Sequence, residues 1–436
     1  ESVRSHHSRA SIGDHVDSKR STAGNRFKAV SSAADSTRKS MALVGLTGNV
    51  AELGDNVFTG GSLGGLMAFR NETLTATQNA IGRLAMALGS SFNDQHKLGV
   101  DLNGVLGTDF FSQAAPGVFA NARNTGDMVL SASVSDTSQL TTSDYSVEVR
   151  DVAGVPTYAV TRLSDKQVIG AYTSFPISFD GVSLSSPGGT AKPGDSFLVQ
   201  PTRAGARDVE VLVRDPAKVA AASPLATGNT AGNKGTGALS AATVDAGYLA
   251  TPPALPLTLS YDAGANTLSG FPATSAVKVT LADGTFTNYP AGTPVPYTAG
   301  ASISFDGVSV SLKGAPAQGD TFTIKKNVGG LSDGSNALQL AALQRKNTMA
   351  GGSTTFNGAF SQLVSAVGNR SMEIRMAETT QTSVTSQIRA SRDSISGVNQ
   401  DEETGNLLMF QQMYQANAKV IQTASAMFDA ILGIHG

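Results

Sequence analysis

Four large residues, Leu407, Tyr414, Ile421 and Phe428, repeat at intervals of seven near the end of the chain. Phe410, Asn417, Ala424 and Ile431 fill the interleaved position. This is the spacing of a coiled-coil seam, in which one helix buries its stripe against another. Such a helix cannot cover the stripe by itself. It is either an ordinary core helix of its own chain or one side of an assembly interface. Asn417 favours the second reading, because a polar seam residue sets register and partner at a cost in stability. Asp401, Glu402 and Glu403 stand near the start of the run, where the helix dipole favours negative charge.

Helical spacing also precedes this segment. Phe360, Val367, Ile374, Ile388 and Ile395 sit at multiples of seven, with Leu363, Ala377 and Val384 between them. A single helix from Ser353 to Ile395 is about 64 Å long at ~1.5 Å per residue, capped by Ser353 or Thr354 and ended by Gly397. Residues 62–97 carry an earlier stripe: Leu63, Leu66, Met67, Leu74, Ile81, Leu84, Leu88 and Phe92, with Ser62 as the expected cap.

Between the helical ends the period falls to two. Tyr145, Val147 and Val149 alternate with polar residues, and so do Tyr158, Val160 and Arg162. Ile177–Leu184 (Ile-Ser-Phe-Asp-Gly-Val-Ser-Leu) recurs as Ile303–Val310. Each copy is followed by Gly-Asp-[Ser/Thr]-Phe, at Gly194–Phe197 and Gly319–Phe322. The Asp-Gly pairs supply the positive φ angles of a two-residue hairpin turn. They place Phe179 opposite Val182, with Ile177 and Leu184 beside them. Two related β modules are expected, with the Gly/Thr/Asn-rich stretch Thr227–Thr236 as their linker.

The expected fold class is α+β and multidomain. A long, coiled-coil-like helical stalk is formed by both chain ends, with two antiparallel β modules inserted. The expected divisions are 1–125 and 329–396 for the helical domain, 126–226 and 236–328 for the β modules, 227–235 for the linker and 397–436 for the terminal assembly helix. Residues 1–40 carry eight Lys/Arg against four Asp/Glu and are expected to be disordered or loosely helical, through Ile12, Val16, Ala23, Phe27, Val30 and Ala34. The start at Glu1 rather than Met fits a fragment.

Composition narrows the chemistry. A net charge of −2 over 436 residues argues against a nucleic-acid binder, and no apolar run is long enough for a membrane span. The absence of Cys excludes disulfides, thiol nucleophiles and Cys-ligated zinc. The five His (His6, His7, His15, His96, His435) form no HExxH motif. His6, His7 and His15 read as a solvated arm rather than a metal site. Gly228–Thr236 has the wrong spacing for a phosphate loop, and no GxSxG elbow occurs. Asp180, Asp195, Asp306 and Asp320 read as turn residues before they read as calcium ligands. No catalytic, cofactor or metal residue is assigned, and the chain is read as a non-enzyme.

The closing run Asp401–Gly433, with Tyr414-Gln-Ala-Asn-Ala-Lys-Val-Ile421 at its centre, resembles the C-terminal helix of axial proteins of the bacterial flagellum. Thr59–Arg70 (Thr-Gly-Gly-Ser-Leu-Gly-Gly-Leu-Met-Ala-Phe-Arg), with Glu72-Thr-Leu and Phe92-Asn after it, resembles the hook-associated protein 1 (FlgK) family. Asn336–Leu343 agrees. The match covers 59–111 and 330–436 well and the β modules loosely. The family's N-terminal helix has no counterpart in residues 1–55.

The resemblance implies a structural adapter between hook and filament, exported through the flagellar type III channel without a cleaved signal. It implies as partners the flagellar hook protein, a second hook-associated junction protein, further copies in an annulus and a cytosolic export chaperone at the C-terminal helix. The carry-over of the chaperone site falls on Leu407, Phe410, Tyr414, Ile421, Phe428 and Ile431. A glycan-binding or host-binding adhesin built on the β modules is the competing reading. An enzyme hidden in the β region is the weakest.

Overall fold

The computed structural model describes residues 26–58, 60–328, 330, 332–396 and 399–433. They form two units, one reaching to Val364 and the other starting at Ser365. The fold is α+β, with helices before and after a long run of antiparallel strands.

The first described residues are strands rather than the loose helix expected of residues 1–40. Strands β1 (Arg26–Ser31), β2 (Lys39–Val44) and β3 (Val50–Glu52) make one antiparallel sheet in that order. Ile12, Val16 and Ala23 lie outside the described residues; Phe27 and Val30 fall on β1. A period of two decides the outcome, since it buries Ala42 and Val44 on β2. Ala34 sits in the connecting turn, where Asp35 accepts from the Thr37 N–H at 3.0 Å. Glu52 accepts from the Ala33 N–H through both carboxylate oxygens at 3.2 Å.

Helices α1 (Gly61–Ala68) and α2 (Thr75–Lys97) are joined by a π-helical turn, Phe69–Leu74. Ser62 is not the cap. The first turn is closed one step earlier, by the Gly64 N–H donating to Gly60 O at 3.2 Å, across Gly61, whose φ of 66° is a conformation cheap only for glycine. The wide π turn lets Arg70 and Asn71 both reach Asp55 Oδ2, each at 2.7 Å.

Half of the apolar stripe of this rod is turned outward. Leu66, Leu74, Ile81 and Leu88 are exposed, whereas Met67 is buried. The face of α2 that packs is mostly small or polar, with Met86 its one large apolar residue: Asn79, Gly82, Met86, Ala87, Gly89, Asn93 and His96. Its amides serve the irregular chain alongside. Asn93 Oδ1 accepts from the N–H groups of Phe110 and Phe111 at 2.8 Å, and its Nδ2 donates to Phe111 O at 2.8 Å. Backbone without a ladder needs such partners when buried.

The first β module holds β4 (Gly117–Ala120), β5 (Val129–Val134), β6 (Tyr145–Val152), β7 (Val155–Arg162), β8 (Gln167–Tyr172), β9 (Ile177–Phe179), β10 (Val182–Gly188) and β11 (Ser196–Gln200). Its sheets run β4-β11-β6-β7-β8 and β5-β10-β9. Val182 pairs with Phe179 and Leu184 with Ile177, the register the Asp-Gly turn predicts. Asp180 and Gly181 both have positive φ, 41° and 76°. These four apolar residues join Tyr145, Val147, Val160, Phe197 and Val199 in one core.

The second module holds β12 (Leu225–Asn229), β13 (Ala238–Leu239), β14 (Thr243–Val244), the short α3 (Ala246–Ala250), β15 (Leu257–Asp262), β16 (Thr267–Ser269), β17 (Val277–Thr280), β18 (Phe286–Tyr289), β19 (Val295–Pro296), β20 (Ser302–Phe305), β21 (Val308–Lys313) and β22 (Thr321–Lys326). Its sheets run β12-β22-β15-β16-β19 and β13-β21-β20-β17-β18. The stretch expected as linker is part of it. Residues 227–229 close β12, which pairs antiparallel with β22 from Leu225↔Lys326 to Asn229↔Phe322. Its low apolar content hid it, because an edge strand needs backbone partners more than buried side chains.

The same clasp closes both modules. Asp195 accepts from the N–H groups of Thr125 (2.8 Å), Gly126 (3.1 Å) and Lys192 (2.8 Å). Asp320 accepts from Lys234 (2.8 Å), Gly235 (3.0 Å) and Ala317 (2.8 Å). Beside them Asn124 exchanges two hydrogen bonds with the Ser196 backbone, as Asn233 does with Thr321. The residues that resemble a phosphate loop, Lys234 and Gly235, thus hold a carboxylate of their own chain. Burial pushes the Asp195 carboxyl up, but its three N–H donors outweigh burial and hold it below the ordinary carboxylate range. The Asp320 carboxyl is lowered too, first by Ala317 and Lys234. A lowered folded pKa adds stability that is complete above the unfolded value, about 3.9, and is lost as pH falls through the lower folded value. Asp195→Asn is therefore expected to cost about 1–2 kcal/mol at neutral pH and to flatten the fall in stability below about pH 4. Urea midpoints of the variant between pH 2.5 and 7 that track the parent in parallel would refute this.

The chain then forms α4 (Ser335–Ala342), α5 (Phe356–Ser396) and α6 (Gln400–Gly433). Helix α5 begins three residues later than expected. Its cap is Thr355, whose Oγ1 accepts from the Gly358 N–H at 3.1 Å, rather than Ser353 or Thr354. Gly397, the expected stop, lies outside the described residues.

Candidate assembly interface

The local sequence favours a helix start at α6. Asn399 caps it, its Oδ1 accepting from the Asp401 N–H at 3.1 Å. Asp401, Glu402 and Glu403 fill its first turn, at the positive end of the helix dipole. No residue of α6 is buried. Leu407, Phe410, Tyr414, Ile421, Phe428 and Ile431 are each between 60% and 77% exposed. Asn417 and Ala424, the remaining seam positions, are exposed as well. The sequence-predicted seam is therefore one continuous stripe on one helix, and it is uncovered. Single exposed apolar residues are ordinary on a protein surface; a contiguous row of large ones marks an interaction surface.

The uncovered face is wider than the seam. Met413, Val420 and Met427 also repeat at seven, one position before Tyr414, Ile421 and Phe428, and all three are exposed. The same seven-residue count could have found them in the sequence. A face three positions wide per heptad suits a helix bundle, whereas a two-position seam suits a pair. Helix α5 continues the theme. Phe360, Val367, Ile374, Ile388 and Ile395 are all exposed, and burial is confined to its first turn, at Phe356 and Ala359.

Among the described residues there is no cluster of three His, Asp or Glu able to hold a metal ion. The Asp carboxylates of the hairpin turns are occupied: Asp180 by the Tyr145 hydroxyl at 2.7 Å and Arg162 at 2.5 Å, Asp306 by the Ser275 hydroxyl at 2.7 Å. Burial and the Asp180 carboxylate push the Tyr145 phenol up to about 12, against the pull of its Thr141 bond. His6, His7, His15 and His435 lie outside the described residues. His96 is buried between two backbone partners, its Nδ1 at 2.7 Å from Thr108 O and its Nε2 accepting from the Ala220 N–H at 2.9 Å. No helix among the described residues is long and apolar enough to cross a membrane.

Comparison with known proteins agrees with this geometry. Residues 16–111 match the family described as flagellar hook-associated protein FlgK helical domain. Residues 119–201 match a flagellar hook-associated protein 1 D2-like domain, and 224–326 its D3 domain. Residues 390–434 match the C-terminal family of flagellar basal body rod FlgEFG proteins. The solved flagellar hook junction protein FlgK of Burkholderia pseudomallei superposes with a TM-score of 0.78 at 37% identity, over 85% of this chain and 70% of that one. The chain belongs to the flagellar hook-associated protein 1 family. Members from Escherichia coli K12 and Salmonella typhimurium are each 30% identical over 94% of this chain. The chain spans 56% of the length of either of these relatives. The family is structural rather than enzymatic.

Proposed function

We propose that this chain is a structural adapter of the bacterial flagellum, seated between hook and filament and outside the cell after export through the flagellar type III channel. The observation that carries the reading is the uncovered heptad face of α6 in a chain of the hook-associated protein 1 family. The stripe supplies what a polymerising subunit needs, a long apolar face covered only when neighbours are present. In this reading Leu407, Phe410, Tyr414, Asn417, Ile421, Ala424, Phe428 and Ile431 face neighbouring subunits. Those neighbours are further copies in an annulus, the hook protein below and a second junction protein above. Helices α5 and α6 form the stalk, paired with a helix from the other end of the protein or from a neighbour. The same face is shielded before export by a cytosolic chaperone, since an uncovered apolar helix aggregates in the cytosol. The β modules project outward. No observation favours the adhesin reading.

The test is co-sedimentation with assembled hooks. The intact chain is expected to pellet, and a chain lacking residues 397–436, or carrying Leu407→Asp, Tyr414→Asp and Phe428→Asp, is expected to stay in the supernatant with its β modules folded. Equal pelleting of parent and variants would remove α6 from the interface.

A further inference from the structure

Leu74, Ile81 and Leu88 repeat at seven, and the same count carried back falls on Met67. An unbroken α-helix would set Met67 on their row, since two turns take about seven residues. The structure sets Leu66 there instead: Leu66 is 65% exposed and Met67 only 9%. The π-helical turn Phe69–Leu74 makes the difference. It closes its hydrogen bonds over one residue more than an α turn, so it displaces all of α1 by one position about the axis, a rotation of about 100°.

Little of α1 holds it in that phase, for it buries only Gly64 and Met67. Inside the π turn the Thr73 hydroxyl is buried and has no hydrogen-bond partner. An α turn can remove that fault, because a helical threonine reaches the carbonyl four residues back. Thr379, Thr385 and Thr404 do so in α5 and α6. What opposes the α turn comes from outside the helix. Asp55 Oδ2 accepts from Arg70 and from Asn71, each at 2.7 Å, and Arg70 Nη1 also donates to Lys39 O at 2.7 Å. The chain around the small sheet thus grips two adjacent residues of the turn.

We propose that this grip is a phase switch for α1. With the Asp55 contacts made, Leu66 stands on the outer row. With them released, the turn closes to α geometry and α1 rotates by one position. Met67 then joins Leu74, Ile81 and Leu88, while Gly65 and Ala68 turn inward to the places of Gly64 and Met67. One segment therefore carries two outer faces, and a contact that favours either is coupled to the Asp55 grip.

The test uses the whole chain, which has no Cys, so that Ala68→Cys supplies its only thiol. Ala68 is exposed in the present phase. Adding Asp55→Ala is expected to slow the modification of that thiol by a maleimide about tenfold, the reverse of what mere loosening does. Asn71→Ala, which removes one arm of the grip, is expected to slow it about threefold. Deleting Thr73 takes the extra residue out of the turn, so that an α turn then holds the present phase. In that background Asp55→Ala is expected to leave the rate unchanged. An unchanged or faster rate in Asp55→Ala overturns the switch, and equal slowing in the deletion background overturns the π turn as its source.

Discussion

Replacing Gly82 by alanine is expected to destabilise the helical part of the chain by about 3 kcal/mol, although alanine is the better helix former. Propensity alone adds about 1 kcal/mol in the stabilising direction. Space decides the sign. A Cβ on Gly82 would stand 1.7 Å from Thr202 O, and one on Gly205 would stand 2.4 Å from Gly82 O. Two glycines thus bring the α2 backbone and the 202–205 turn into direct contact. That contact lets Arg203 reach across to Asp144 and to Asn79 Oδ1 at 3.0 Å, while Asn79 Nδ2 donates to Asp144 at 2.9 Å. Burial pushes the Asp144 carboxyl up, and the pull of Arg203 and Asn79 only partly offsets it. A Cβ held in place overpacks the contact, at about 1–3 kcal/mol, and moving α2 outward to relieve it strips partners from a buried ion pair, at about 3–5 kcal/mol if broken fully. Either outweighs the propensity gain. Gly65 on α1 is the control, because a Cβ there meets nothing within 4 Å; Gly65→Ala is expected to raise stability by up to about 1 kcal/mol. Urea denaturation with hydrogen exchange read over residues 79–97 separates the two. A Gly82→Ala midpoint equal to or above the parent would refute the close-contact account.

The same contact shows where sequence reading stops. The period of two located the strands around Tyr145 and Tyr158, and the repeated Asp-Gly turn placed Phe179 against Val182, because both signals are local. The heptads of α5 and α6 were legible for the same reason. Helix α2 was harder. Its most apolar side faces outward and its small, polar side packs, since the neighbour it serves is irregular backbone that needs amide partners. Periodicity counts apolar residues and is blind to that demand. The clasps at Asp195 and Asp320 were half legible. The glycine before each aspartate marked them as turns, and one donor of each, Lys192 or Ala317, is local, but the other two come from residues 125 and 126, or 234 and 235, far off in the chain. The seam residues were found as a pattern; the adjoining Met413, Val420 and Met427 were missed by stopping at two positions per heptad.

Asn336→Ala is expected to cost about 3–4 kcal/mol, as one buried amide carries three contacts between distant segments. Asn336 Nδ2 donates to Ala220 O at 2.6 Å and to Gln95 O at 3.3 Å, and its Oδ1 accepts from Gln95 Nε2 at 2.7 Å. Ala220 is fully buried, and its N–H donates to His96 Nε2. Side chains thus satisfy both backbone groups of Ala220: His96 from α2 and Asn336 from α4. The His96 tautomer follows from its partners, with the proton on Nδ1 facing Thr108 O. Gly99 leaves room for the amide, as a Cβ there would fall 2.1 Å from Asn336 Nδ2. Truncation orphans the Ala220 carbonyl and the Gln95 amide, at about 1–3 kcal/mol each, and leaves a void. Asn336→Asp keeps the volume and the acceptor but turns a carboxylate oxygen toward two carbonyls, so it is expected to be at least as damaging. The pairing of these two variants isolates hydrogen bonding from packing. Thermal denaturation, with exchange at the Ala220 amide as the local readout, is the measurement. If Asn336→Asp stays within about 0.5 kcal/mol of the parent while Asn336→Ala falls, packing rather than the amide network holds α4 to α2. If both fall and Ala220 exchanges faster in each, the network joins the two helices, and the motif that begins at Asn336 is there to fasten the chain where it leaves the second β module.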